Sequence, residues 1–177
     1  MQTALDAARA RPPSDEVSAL LAAYLEKHIP EELHHDEWTL DDLEALGRTR
    51  RETLKRIPSP TVAAMVGTQY YMILHVDPVS ILGYMAVLEG EPPSAEAIEE
   101  VIERSGLPAK AFRTYLEHAR LDAGHRDDLN NVLDRMPLAP EQRSLLAISA
   151  FQTLSLERGM FEELLDAHRL RTSGAVV

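Results

Sequence analysis

Histidine and carboxylate residues recur together at two places in the chain. In HARLDAGH, residues 118 to 125, His118, Asp122 and His125 stand at i, i+4 and i+7. On a helix turning about 100° per residue, those three side chains fall within roughly 60° of one another and form one stripe. His28, Glu32 and His35 repeat the same order nearer the N-terminus. A chain with 7 His and 29 acids in 177 residues would give about 0.04 such patterns at random, so two of them call for a physical cause. Burying two imidazoles and a carboxylate in one stripe is costly unless something compensates their desolvation, and a divalent metal is the usual compensation. Each stripe also contains an acid three residues before a His, the acid-x-x-His element that bundle di-metal proteins place on two facing helices, with single Glu residues added from others. Glu89, at the end of the apolar run ILGYMAVLEG, is the natural further contributor, while Glu31 competes with its neighbour Glu32 for the first stripe. Histidine and carboxylate without thiolate favour Fe or Mn.

Helices must position these residues. The composition is 45% hydrophobic and 27% charged, with 5% aromatics and 8 Gly, which fits an all-α protein of one domain spanning 1–177, with flexible ends at 1–13 and 170–177. Pro12 and Pro13 followed by Ser14 predict a loop and an N-cap, opening a helix that carries the stretch to Trp38, with Pro30 as a kink or a restart. Thr39 predicts a cap for a short helix ending at Gly47, and RTRRETLKRI another. The apolar segment from Thr61 to Gly90 predicts two core helices broken at Asp77-Pro78. Ser94 caps a helix that stops at Gly106, Pro108 opens a long one to about Arg135, and Pro140 opens the last, to about Arg169.

The formal charge is −11 and no long basic run occurs, so a nucleic-acid partner lacks its electrostatic footprint. With no cysteine there is no disulfide, thiolate metal site or Cys nucleophile. Neither a signal sequence nor an apolar stretch of 18 residues is present, so no membrane role and a cytoplasmic location are expected.

The segments EELHHDEWTLDDLEALG, PSPTVAAMVGTQYYMILHVDPVSILGYMAVLEG and HARLDAGHRDDL together resemble the iron-containing redox branch of the heme-oxygenase-like superfamily, the heme-oxygenase-like diiron oxidases and oxygenases, over roughly residues 15 to 165. The resemblance implies a heme-oxygenase-like helical bundle, two non-heme Fe ions or an Fe/Mn pair, and metal ligation by Glu32, His35, Glu89, His118, Asp122 and His125. His28 takes the place of an acidic ligand seen in related enzymes, either as a ligand or as a residue behind the ligands. It further implies O₂ as a reactant and oxidation of a small organic substrate. Relatives of this kind have an additional helix before the region where this chain starts, and its lack leaves apolar surface that favours a homo-oligomer, such as a dimer. Tyr71, Tyr84 and Trp38 are the candidates for a substrate pocket, although Tyr70, Tyr71 and Tyr84 recur with Met65, Met72 and Met85 at a helical spacing that reads first as core packing. Trp38 reads as a packing anchor beside the site. His34, His75 and His168 read as surface or hydrogen-bonded histidines. Two rivals stand beside the diiron oxygenase: a heme-binding or heme-degrading protein, which needs one proximal His and a porphyrin cavity, and a non-catalytic iron-binding or degenerate structural relative.

Overall fold

The computed structural model describes residues 1–90 and 93–173, the side chains of residues 122 and 123 excepted. Among the described residues every regular element is helical: α1 (Gln2–Arg9), α2 (Glu16–Glu31), α3 (His35–Ala45), α4 (Arg50–Leu54), α5 (Pro60–His75), α6 (Ile81–Leu88), α7 (Ala95–Ser105), α8 (Arg113–Arg135) and α9 (Pro140–Thr172), with short 3-10 turns at Pro78–Ser80 and Ala109–Phe112. No helix among them is long and apolar enough to cross a membrane.

Local chemistry explains most boundaries. The Ser59 hydroxyl accepts the Val62 N–H, and Pro60 occupies the first turn of α5, where a missing N–H costs nothing. Ser94 caps α7, which ends at Gly106 in the left-handed region at φ 65°. At the α5–α6 corner, Asp77 Oδ1 accepts the Val79 N–H at 3.0 Å and Oδ2 accepts from Gln142 Nε2 of α9 at 3.2 Å, so one side chain ties the break to the last helix.

Several expectations are corrected. Residues 1–13 include α1, whose Ala4, Leu5 and Ala8 are buried in the core against α2, rather than a flexible end. The cap of α2 is Asp15, which accepts the Ser18 N–H at 3.0 Å, and not Ser14. The helix through the first stripe is not continuous to Trp38. It stops at Glu31, one residue past Pro30, then passes through His34 at φ 74° and restarts at His35. Thr39 therefore lies inside α3 and caps nothing. Of the C-terminal end, residues 170–172 belong to α9 and residues 174–177 lie outside the described residues.

The core runs between α1, α2, α6 and α8, where Leu21, Leu25, Val79, Leu82, Met85 and Leu129 are almost wholly excluded from water. Helix α9 closes the bundle along α6 and α5. Its approach to α6 is nearly backbone to backbone: a Cβ on Gly83 would meet the Leu146 carbonyl oxygen at 2.3 Å and Ser149 Cβ at 2.8 Å. In contrast, a Cβ on the helical Gly67 of α5 would meet nothing within 4 Å.

These two glycines give substitutions of opposite sign. Gly83→Ala is expected to lower unfolding free energy by about 1–3 kcal/mol or more through overpacking. Gly67→Ala should raise it by about 0.5–1 kcal/mol by removing backbone freedom from the unfolded chain. Urea melts of the two variants test this, and equal effects would contradict the close α6–α9 packing.

Candidate metal centre

The break after α2 shapes the site. Glu31 is the last residue of α2 and faces His28 as an ordinary i, i+3 helical neighbour. The chain leaves the helix at Glu32 and turns through the left-handed His34 before His35, and Glu32 lies against His35 and His118. Glu31 joins His28 and His125 in one group, and Glu32 joins His35 and His118 in another, each with ligand-type atoms within 4.8 Å of one another.

In the first group His28 is 1% exposed. Its Nδ1 lies 3.8 Å from Glu31 Oε2 and its Nε2 lies 3.3 Å from the Glu89 carboxylate, brought in from the C-terminus of α6. The His28 and His125 rings meet edge to face at 4.7 Å. In the second group His35 Nδ1 lies 2.9 Å from Glu32 Oε2, and His118 Nε2 lies 3.8 Å from the same oxygen. The other Glu32 oxygen, Oε1, is 3.3 Å from His125 Nδ1. Glu32 thus stands between the two groups and presents one oxygen to each.

The structure brings together His28, Glu32, His35, Glu89, His118 and His125, six of the seven residues expected as ligands. The seventh, Asp122, is on α8, and its side chain lies outside the described residues. Glu31, in sequence a competitor of Glu32, does not exclude it. Both contribute, one to each group. Of the expected pocket residues, Trp38 stacks on His35 at 4.0 Å and lies edge-on to His118, with the Arg113 guanidinium over its ring at 4.9 Å. Tyr84 is half-buried, and its phenol is pushed up by burial and then by the charges of Glu89 and Glu157. Tyr71 is 61% exposed, packs beside His75 and lines a shallow cleft between α5 and α9 that holds none of the cluster. His34, His75 and His168 are exposed. Tyr24, on the buried face of α2, adds a further contact. Its ring stacks on His28 at 5.3 Å, one turn away, a relation visible in the i, i+4 spacing.

The donor set fits a metal. Nδ1–H of His118 donates to the Thr114 carbonyl at 2.7 Å, which leaves its Nε2 as a lone pair directed at a carboxylate. Two acceptors facing one another require a proton or a cation between them. His28 Nδ1, Glu32 Oε1 and Glu89 Oε2 are buried without a hydrogen bond, which is expensive unless a further partner satisfies them. All ligand atoms are nitrogen or oxygen, the set suited to iron or manganese.

Without metal, protons must do this work. Burial opposes ionisation of Glu32, but the neighbouring imidazoles of His118, His35 and His125 outweigh it and hold the carboxyl down to about 2. Its ionised form therefore contributes stability above its unfolded value of about 4.3, lost as pH falls towards 2. Burial likewise opposes protonation of His28, yet the Glu89 hydrogen bond and the charges of Glu89, Glu32 and Glu31 raise its affinity for a proton. That contribution is complete below about 6.5 and is lost as pH rises through the raised value. Metal-free protein should accordingly melt at a lower temperature at pH 8.5 than at pH 6, with the difference reduced in His28→Gln. Adding ferrous ion should remove the alkaline loss in the wild type. An unchanged melting temperature across this range in metal-free protein would contradict the assignment.

Comparison with known proteins bears on the fold and the family. In a solved structure, a domain of unknown function with a heme oxygenase-like fold from Shewanella denitrificans superposes with a TM-score of 0.82 at 18% identity, covering 98% of this chain and 74% of that one. No curated protein matches the chain. A family model described as iron-containing redox enzyme matches residues 8–158. The all-helical bundle is therefore the heme oxygenase-like fold, and the chain belongs to the iron-containing redox enzyme family.

Proposed function

We propose that the protein is a non-heme diiron oxidase or oxygenase that activates O₂ to oxidise a small organic substrate. The observation that carries this reading is the Glu32 carboxylate, which faces imidazoles on both sides, His35 and His118 toward one oxygen and His125 of the other group toward the second. His28, Glu31, Glu89 and His125 would hold one iron, and Glu32, His35 and His118 the other, with Asp122 added by the resemblance. Two ferrous ions supply the electrons for reducing O₂, chemistry that open positions on such iron permit.

The rest is the work of the chain. The Thr114 carbonyl accepts the Nδ1–H of His118 and so orients the ring with Nε2 toward Glu32. Trp38 stacks on His35 and limits its rotation, and Tyr24 does the same for His28. Leu25 and Leu129, one turn from His28 and His125, are almost wholly buried and keep bulk water from that side. Glu31, by contrast, is 37% exposed and marks the wet edge of the site. Four imidazoles and three carboxylates crowd a space that a porphyrin would need to be apolar, which supports the non-heme reading over the heme one. The exposed Phe151, Leu154, Phe161 and Leu164 of α9 support the homo-oligomer as a further part of this proposal.

Anaerobic titration of metal-free protein should bind close to two ferrous ions per chain, and subsequent exposure to O₂ should consume gas and change the visible absorbance. Glu32→Ala should lose both ions while keeping the helical circular dichroism, whereas His35→Ala should lose one. Binding of one ion or none by the wild type, with no O₂ uptake, would overturn the diiron reading in favour of a degenerate relative.

A further inference from the structure

Against the second group lies a cavity of about 650 Å³, bounded by α3, the end of α6, the turn before α8, α8 itself and α9, and His118 forms part of its wall. That volume is in the range of small-molecule sites. Most of the wall is apolar, with Leu43, Leu46, Val87 and Leu107 among its members. Among the described residues its charged members are Asp42 and Glu157, and no Lys or Arg lines it. The cation next to it in sequence, Arg113, is paired with Asp41 at 3.5 Å and lies over Trp38.

Asp42 is 6% exposed. Its Oδ2 accepts the Thr114 N–H at 2.9 Å, capping the first turn of α8 from α3, while its Oδ1 is buried with no hydrogen bond. The Thr114 hydroxyl beside it is also buried without one. An ionised carboxylate only accepts, so the group that completes Oδ1 must donate, and a positively charged donor makes the stronger bond. Among the described residues an anionic ligand would meet two carboxylates and no basic side chain other than His118, which already faces Glu32.

We propose that this cavity binds a largely apolar molecule bearing a protonated amine, and that Asp42 is the residue that selects the amine. The proposal names the substrate class for the reaction proposed above and rests on the imidazole–carboxylate cluster being the reacting centre. The apolar wall accepts the hydrocarbon body, and the Asp42 Oδ1 and Thr114 Oγ1 pair receives the charged end.

The test uses hexylamine, hexanol and hexanoate as probes of metal-free protein by isothermal titration at neutral pH. Hexylamine should bind at least tenfold tighter than hexanol, and hexanoate should not saturate. Asp42→Asn, which keeps an acceptor for the Thr114 N–H, should weaken hexylamine at least tenfold and leave hexanol within twofold. Leu107→Trp, at a 43% exposed rim position, should weaken hexylamine severalfold and serves if Asp42→Asn does not fold. Tighter binding of hexanol or hexanoate than of hexylamine would overturn the proposal. So would hexylamine binding indifferent to Asp42→Asn, which would make Asp42 a helix cap alone and place the amine on the cluster's own carboxylates. Because the amine is scored without metal and the iron count without amine, failure of the one is distinguishable from failure of the other.

Discussion

The Glu32 carboxylate sits inside the bundle with imidazoles on both faces, His35 and His118 toward one oxygen and His125 toward the other. A buried carboxylate is stable only if positive charge or donors surround it, and buried imidazoles directed at carboxylates need a proton or a cation between them. Each requirement answers the other. Most of the polar interior follows from it: Glu89 reaches His28 from the end of α6, and the Thr114 carbonyl orients His118. Tyr24 and Trp38 cover the outer faces of His28 and His35.

This arrangement depends on a local backbone cost. His34 is the single non-glycine residue with positive φ among those described, and it lies within two residues of Glu32 and next to His35. A left-handed residue with a Cβ costs roughly 1–2 kcal/mol, and such costs persist where surrounding contacts over-determine the conformation. Here the contacts are the imidazole–carboxylate pairs themselves. The hydrophobic frame that bears the cost is made elsewhere, by α1, α2, α6 and α8 around Leu21, Leu82 and Met85, and by α9 seated against Gly83. Site and frame meet at α6, which carries Gly83 on the packed side and ends at Glu89.

Much of this was legible in the chain. Ser94, Gly106 and the proline at 140 mark real boundaries because caps and missing N–H groups act locally. His28, Glu32, His35, His118 and His125 of the two His–carboxylate–His stripes do come together in the fold, because spacing survives even where the helix does not. What the spacing could not show was the turn at His34. Glu31 and Glu32 compete for one stripe in sequence, whereas in the fold Glu31 faces His28 within α2 and Glu32, where the helix ends, faces His35 and His118. Residues 1–13 looked like a flexible end because Pro12 and Pro13 draw attention from the short apolar face of Ala4, Leu5 and Ala8. Tyr71 looked like a pocket residue by type, but its register on α5 turns it outward. Nothing in the sequence marks the contact of Asp42 with Thr114, 72 residues away, because it exists only once α3 packs against α8.

The central claim is that Glu32 separates two metal positions. A crystal structure of iron-loaded protein, with anomalous difference maps collected on either side of the iron edge, tests it directly. The account predicts two iron peaks flanking the Glu32 carboxylate, one beside His28 and His125 and one beside His35 and His118. A single peak, or iron bound away from Glu32, would contradict it.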